Sequence, residues 1–259
     1  MAYTVKPVSL GSTTGDQSGF TYMVFPGVKL LLDIAYFIIK GAPKTILVDT
    51  GTWAALMVKY WPGETTDFQT FEESLQKEGM TPDDVDIIIQ THLHHDHCGN
   101  HFKCRNAEVY VQEEEWAFAC APHPLQGQYY PKDMMDQVKA MKMRLIRGEY
   151  ELFPGIRLLH TPGHTPGTQS VCVDTREGKT VITGMCSVYQ TFEEPAEVLP
   201  KDHPFSSWET FVQSIATDIN QSYSSCLRLK RMADVLLPCH GPGFDERTKK
   251  SLPDSMKRR

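Results

Sequence analysis

Apolar residues fall in short β-rich runs along the first half of this chain. Lys29–Ile39 and Thr45–Asp49 flank the turn-forming cluster Lys40-Gly41-Ala42-Pro43-Lys44, and this spacing predicts a hairpin. Asp86–Gln90 and Glu108–Val111 predict two more short strands, the first of them buried. Apolar positions at Phe68, Phe71 and Leu75, with Gly79 as a stop, predict an amphipathic helix over Phe68–Gly79. A second helix is expected at Glu113–Cys120, opened by three Glu that suit the positive end of the helix dipole. Ala121–Pro131, rich in Pro, Gly and Tyr, reads as an irregular loop. Lys132–Arg147 reads as a helix carrying Met134, Met135, Met141 and Met143, for core or lid packing or for a substrate-facing apolar surface.

The second half returns to strands. Tyr150–Phe153 and Ile156–His160 flank Pro154-Gly155, and Gln169–Asp174 and Thr180–Thr183 flank Arg176-Glu177-Gly178-Lys179, so two hairpins are expected. A long helix is expected over roughly Ser207–Met232, then a short strand at Asp234–Pro238 and a frayed basic tail at Lys249–Arg259. Strands, helices, strands and a helix in that order, with no break in composition, predict two β-sheets with helices outside them in a single domain over 1–259.

Composition narrows the class. The 259 residues are 41% hydrophobic and 22% charged, as in an ordinary soluble globular protein. With 26 Lys+Arg against 32 Asp+Glu the net charge is −6, which argues against nucleic acid or an anionic membrane surface as the partner. The longest apolar run, Leu30–Ile39, is interrupted by Asp33 and falls short of the ~20 residues a spanning helix needs. Met1–Pro7 lacks the pattern of a secretory leader, and the seven Cys form no CxxC pair and read as reduced thiols. A soluble cytoplasmic protein is expected. One count is uneven: of ten His, five (His92, His94, His95, His97 and His101) fall within ten consecutive residues.

That cluster follows a buried strand directly. In extended backbone His92 and His94 point the same way, while Asp96 and His97 follow in the turn and can face a neighbouring point. Imidazole and carboxylate are donors for Zn, Fe or Mn, and four such side chains in six positions predict a metal site. His164 lies in His160-Thr161-Pro162-Gly163-His164-Thr165-Pro166-Gly167, where two Pro-Gly pairs stiffen the loop. His240 follows the last strand in Pro238-Cys239-His240-Gly241. Three strand ends thus each offer histidine to one sheet edge. His95, His101, His123, His160 and His203 have no comparable setting and read as structural or surface residues.

The motif His92-x-His94-x-Asp96-His97, followed by His164 in its TPGHTPG loop and by His240, resembles the metallo-β-lactamase superfamily; Val48-Asp49-Thr50-Gly51 and Thr183-Gly184 match as well. The resemblance implies an α/β fold, the four-layer αββα sandwich of that superfamily, with one or two divalent metal ions at one edge: Zn first, Fe or Mn as alternatives. It implies one donor set of His92, His94 and His164 and another of Asp96, His97 and His240, with Asp49 behind a ligand histidine. One position departs. The family places an Asp that bridges two metals immediately after the Gly of Thr183-Gly184, whereas here Met185 and Cys186 follow. A thioether is a poor ligand for such ions and a thiolate a good one, so Cys186 is the candidate if the loop shifts by one, and a one-metal enzyme is open.

Chain length, the apolar N-terminal hairpin, the segment 161–170 and Tyr189 resemble the N-acyl-homoserine-lactonase-like branch. This implies a metal-bound hydroxide, made available as the pKa of water falls from ~15.7 toward ~7, that opens a lactone or cleaves an ester-type carbonyl. Asp96 would accept the proton or orient the water, and Tyr189 would contact the substrate carbonyl or leaving oxygen. The alternatives are a thioesterase of the glyoxalase-II type, a mononuclear iron oxygenase using His92, His94 and His164, and a metal-binding non-enzyme. The substrate is a small molecule in each enzymatic case. The apolar N-terminal segment and the Met-rich helix would serve a lid or a homodimer interface.

Overall fold

A computed structural model describes residues 2–257. Seven strands form one sheet in the order β4-β1-β2-β3-β5-β6-β7: β1 Thr4–Asp16, β2 Lys29–Lys40, β3 Ile46–Val48, β4 Thr65–Asp67, β5 Ile87–Ile89, β6 Glu108–Gln112 and β7 Lys142–Ile146. Five form the other, in the order β12-β11-β10-β9-β8: β8 Tyr150–Phe153, β9 Ile156–His160, β10 Gln169–Thr175, β11 Gly178–Ile182 and β12 Val235–Leu237. The helices are α1 Ala54–Met57, α2 Phe71–Gln76, α3 His95–Cys98, α4 Glu113–Cys120, α5 Lys132–Lys139, α6 Pro195–Val198, α7 Ile219–Met232 and α8 Asp254–Lys257. No helix among the described residues is long and apolar enough to cross a membrane.

Strand alternation builds the layers. Phe37 and Ile39 of β2, with Ile46, Val48, Ile87 and Ile89, face Ile156, Leu158, Val171, Val173 and Ile182 across the inter-sheet core. The residues between them, Tyr36, Ile38, Leu47 and Ile88, face outward against Phe71 and Leu75 of α2. On the far side, Leu159, Cys172 and Val181 pack beneath Cys226 and Leu229 of α7. Both faces of each sheet are therefore covered, which is why the strands read as nearly continuous apolar runs. This is the expected αββα sandwich.

Several expected elements differ. Strand β1 was not foreseen: it carries Pro7, Gly11 and Gly15 among Ser and Thr, yet it pairs with β2 from Thr4↔Lys40 to Asp16↔Lys29, with a bulge between Ser9 and Gly11. The helix expected at 68–79 is shorter, because Thr70 and Glu73 form a capping box that starts α2 at Phe71. The Met-rich segment is helical only through Lys139; β7 then pairs with β6 in parallel, so Met143 and Leu145 belong to an edge strand. Met134 and Met135 pack against Leu93 and Tyr130 in the interior. The apolar N-terminal segment is likewise interior, as β2, with Leu32 and Ile34 through Ile39 buried within the chain. The helix expected from Ser207 begins only at Ile219, capped by the Asp218 side chain on Gln221 N–H. Residues 211–217 instead run irregularly, with Val212 O accepting from Tyr22 N–H at 2.7 Å and Thr217 N–H donating to Gly163 O at 2.8 Å. The tail is not frayed through 257: a 3₁₀ turn at Lys249–Ser251 and α8 follow, with Ser251 Oγ accepting from Leu31 N–H at 2.8 Å. The tail's last two residues, 258 and 259, lie outside the described residues.

The parallel β11–β12 pairing and the β9–β10 hairpin bring three sheet ends to one edge, at a close backbone approach. A Cβ on Gly184 would meet Gln169 O at 1.8 Å, whereas one on Gly19 would meet nothing within 4 Å. Gly184→Ala is expected to cost about 3 kcal/mol by overpacking, and Gly19→Ala to change stability by less than about 0.5 kcal/mol, in denaturant unfolding. Equal effects would contradict this packing.

Candidate metal centre

Each expected histidine follows a strand end. His92 and His94 follow β5, Asp96 and His97 lie on α3, His164 lies in the loop between β9 and β10, and His240 follows β12. The structure brings all of them to one narrow cavity of about 30 Å³, whose other walls include Met57, Trp61, Tyr129, Cys186 and Ile215. The ligand atoms of His92, His94 and His164 lie within 4.8 Å of one another. Those of His97, Cys239 and His240 form a second such set. Asp96 Oδ2 lies 3.5 Å from His97 Nε2 and 3.6 Å from His240 Nε2, beside the second set.

Hydrogen bonds behind the rings fix which nitrogen faces the cavity. His97 Nδ1–H donates to Asp49 Oδ2 at 2.7 Å, and His164 Nδ1–H to Ile215 O at 2.6 Å. Thr91 Oγ1 donates to Asp49 Oδ2 at 2.8 Å, so at 3.1 Å it accepts from His92 Nδ1–H. All three rings thereby turn Nε2 lone pairs inward. His92 Nε2 and His164 Nε2 face each other at 3.2 Å, and the buried Nε2 atoms of His94 and His97 have no hydrogen-bond partner. Unpaired buried acceptors are costly, and a divalent cation in each set would satisfy them, His92, His94 and His164 in the first and His97 in the second. The donor set therefore fits one.

Electrostatics agree. Burial, followed by the neighbouring imidazoles, pushes His92 and His94 well below the ordinary histidine value of 6.5, and burial takes His164 and His240 down to about 4. These rings are neutral at pH 7, as ligands must be. Burial pushes the Asp96 carboxyl up, but His97, His95, His240 and His94 outweigh it and hold it below the usual carboxylate range. His97 is the exception among the rings: burial lowers it, but Asp96 and Asp49 together raise it.

A second buried carboxylate ties the loops together. Glu115, on α4, accepts from Leu93 N–H at 2.8 Å and from Tyr130 OH at 2.9 Å, and also from Thr165 Oγ1. Leu93 lies between His92 and His94, and Thr165 follows His164, so one side chain joins the two loops of the first set. The three Glu opening α4 read as helix-dipole partners, and nothing local marks the third as the buried one. Cys239 was also missed, since only tertiary pairing of β11 with β12 brings it beside His97. His95, expected to be structural, lies on the cavity wall with its ring 5.0 Å from Tyr60.

Three expectations at the departing position are now placed. Met185 is buried in the core beneath α7, with Cys226 Sγ 3.2 Å from its sulfur, so no carboxylate stands at the bridging position and its thioether points away from the edge. Cys186 lines the cavity but belongs to neither donor set. Tyr189 does not reach the cavity. It opens a 3₁₀ turn, Tyr189–Phe192, held by Gly241 O, and faces a separate pocket with Phe192, Lys230 and Leu236. Two phenol rings from the irregular loop stand at His94: Tyr130, at 4.8 Å, whose hydroxyl is taken by Glu115, and Tyr129, at 4.9 Å, which lines the cavity.

Residues 32–223 match the family model for the metallo-beta-lactamase superfamily. The N-acyl homoserine lactonase AiiA of Bacillus thuringiensis subsp. kurstaki is 28% identical over 249 residues, 91% of this chain and 90% of that protein. Among solved structures, a quorum-quenching N-acyl homoserine lactone lactonase superposes with a TM-score of 0.73 at 26% identity, over 95% of this chain and 96% of that one. An N-acyl homoserine lactone hydrolase with N-hexanoyl-L-homoserine bound at its catalytic metal centre gives 0.72 at 25% identity, over 98% of each chain.

The depressed histidines set a pH dependence for metal-free protein. The unfolded chain binds protons at His164 and His240 near 6.5 and the folded chain only near 4, so stability is full above about pH 6.5 and falls as pH drops from there toward 4. Melting of chelator-treated protein is expected to follow this course, and metal-loaded protein to resist it. A melting temperature that rises over that interval would contradict the burial of neutral rings.

Proposed function

The chain belongs to the metallo-β-lactamase superfamily, and on that footing we propose that it is a metal-dependent hydrolase that opens small lactones, N-acyl homoserine lactones being the substrate class. The observation that carries this reading is the convergence of two donor sets on one cavity, with the buried Nε2 atoms of His94 and His97 unpartnered. His92, His94 and His164 would hold one ion and Asp96, His97 and His240 the other, zinc being the first choice for such donors. Bound there, a divalent metal supplies water of lowered pKa and a Lewis-acid contact to a carbonyl oxygen.

The chain's own groups do the rest. Asp96 is ionised at neutral pH and orients the attacking water or takes its proton. Tyr129, whose phenol burial keeps protonated, donates a hydrogen bond to the substrate carbonyl, the place expected of Tyr189. Met57, Trp61 and Ile215 give the cavity an apolar wall suited to an acyl chain. The similarity to proteins named for lactone hydrolysis supports the substrate class. The net charge of −6 and the scattered cysteines support a cytoplasmic enzyme of small molecules, one domain over 1–259, with no nucleic-acid or membrane partner.

The reading is tested with zinc-loaded protein and a pH-indicator screen of lactones, esters and thioesters. His94→Ala and His164→Ala are each expected to abolish lactone opening and lower bound metal; full activity in either would overturn the assignment. Oxygen consumption with a thiol substrate, in place of acid release, would favour the iron oxygenase. Tyr129→Phe is expected to lower kcat about tenfold, the worth of one hydrogen bond, and Tyr189→Phe to leave it unchanged. Equal losses would return the role to Tyr189.

A further inference from the structure

We propose that the thiolate of Cys239 is a protein ligand of the second metal set, taking over the charge that a bridging carboxylate would bring from the segment after β11. The inference rests on the reading of this edge as a metal centre, and it concerns which side chains complete it.

Three observations lead there. The ligand atoms of His97, Cys239 and His240 lie within 4.8 Å of one another, and Cys186 is in no such set. The bridging position is vacated in substance, because Met185 is buried beneath α7. And the thiol reaches that same place from the neighbouring strand. β12 runs parallel to β11 with Ile182 opposite Leu237, so Cys239 emerges beside Thr183, whose Oγ1 accepts from Cys239 N–H at 3.3 Å. Cys239 Sγ itself lies 2.8 Å from the main-chain oxygen of Met185. Thiol and absent carboxylate thus share one corner of the sheet edge.

Charge makes the exchange consistent. The first set offers three neutral imidazoles, and Asp96 is the carboxylate beside the second. Two divalent ions facing one carboxylate would carry a large uncompensated charge in a buried site, and a thiolate supplies a second negative charge. On coordination the S–H···O contact to Met185 is exchanged for a sulfur–metal bond, and the proton passes to solvent. A sulfur donor also biases the second set toward Zn, Co or Cd over Mn or Mg.

The test loads chelator-treated full-length protein with Co(II). Wild type is expected to bind two ions and to show sulfur-to-cobalt charge-transfer absorption in the near ultraviolet. Cys239→Ser is expected to lose that absorption and to bind the second ion about tenfold more weakly or worse, while Cys186→Ser keeps both. No such band in wild type, a band lost in Cys186→Ser, or an unchanged spectrum and stoichiometry in Cys239→Ser would each overturn the proposal. If Cys239→Ser does not fold, X-ray absorption of zinc-loaded Cys186→Ser decides: a sulfur neighbour at about 2.3 Å supports Cys239, and a purely nitrogen and oxygen shell overturns it. Lactone turnover measured on the same samples separates the two readings. A band without turnover removes the lactonase and leaves Cys239 in place, and turnover without a band does the reverse.

Discussion

The sheet edge hangs on one buried carboxylate. Asp49 follows β3 with φ at +59°, a backbone conformation that costs a non-glycine residue about 1–3 kcal/mol and persists only where its surroundings demand it. The surroundings do. Its two oxygens accept from Gln90 Nε2, Thr91 N–H, Thr91 Oγ1 and His97 Nδ1–H, so the end of β3 is bound to both sides of the histidine motif after β5. Thr91 in turn holds His92, and the far nitrogen of His97 lies 3.5 Å from Asp96. Removing Asp49 would strand buried donors and leave His97 without its counter-charge, a loss of the size seen when one partner of a buried pair is deleted, about 3–5 kcal/mol. Glu115 does for the other half what Asp49 does here, joining the backbone at Leu93 to the His164 loop. Two buried carboxylates outside the cavity lining therefore decide where the histidine nitrogens point.

How far the sequence could be read follows from how local each feature is. Asp86–Gln90 and Glu113–Cys120 were legible because a run of Ile and a helix opened by Glu carry their own signal. So was the convergence of His92 and His94, since a spacing of two along a strand end already sets their common direction. β1 was not legible, because its Pro, Gly, Ser and Thr look like loop until β2 pairs with it along its whole length. Residues 142–146 contain Lys, Met, Arg and Leu, good helix formers that an edge position beside β6 overrides. Ser207–Asp218 lacks a breaker, so nothing local showed that its backbone leaves the helix to meet Tyr22, Gly163 and His164. Cys239, Glu115 and Tyr129 depend on contacts between segments far apart in sequence, and no spacing announces them. Tyr189 shows the converse: similarity of order along the chain carried it to the site, and a 3₁₀ turn carries it away.

The substitution at Met185 is a change in the core as well as at the edge. Its thioether fills the layer beneath α7 with Cys226, Val212 and Leu229, so an Asp there would be a buried charge unless the loop turned over. The two donor sets then stand as neighbours that share a cavity and no bridging group from that loop. Each set keeps its own protein donors without that group, and three imidazoles are the number that a catalytic zinc with one open position takes.

The claim that this edge is a hydrolytic metal centre is met most directly by titrating zinc into chelator-treated protein while following both bound metal and the opening of a homoserine lactone. Turnover is predicted to be absent without metal and to rise in proportion to the first or second equivalent bound. Turnover that survives full removal of metal, or protein that binds no stoichiometric zinc, would contradict it.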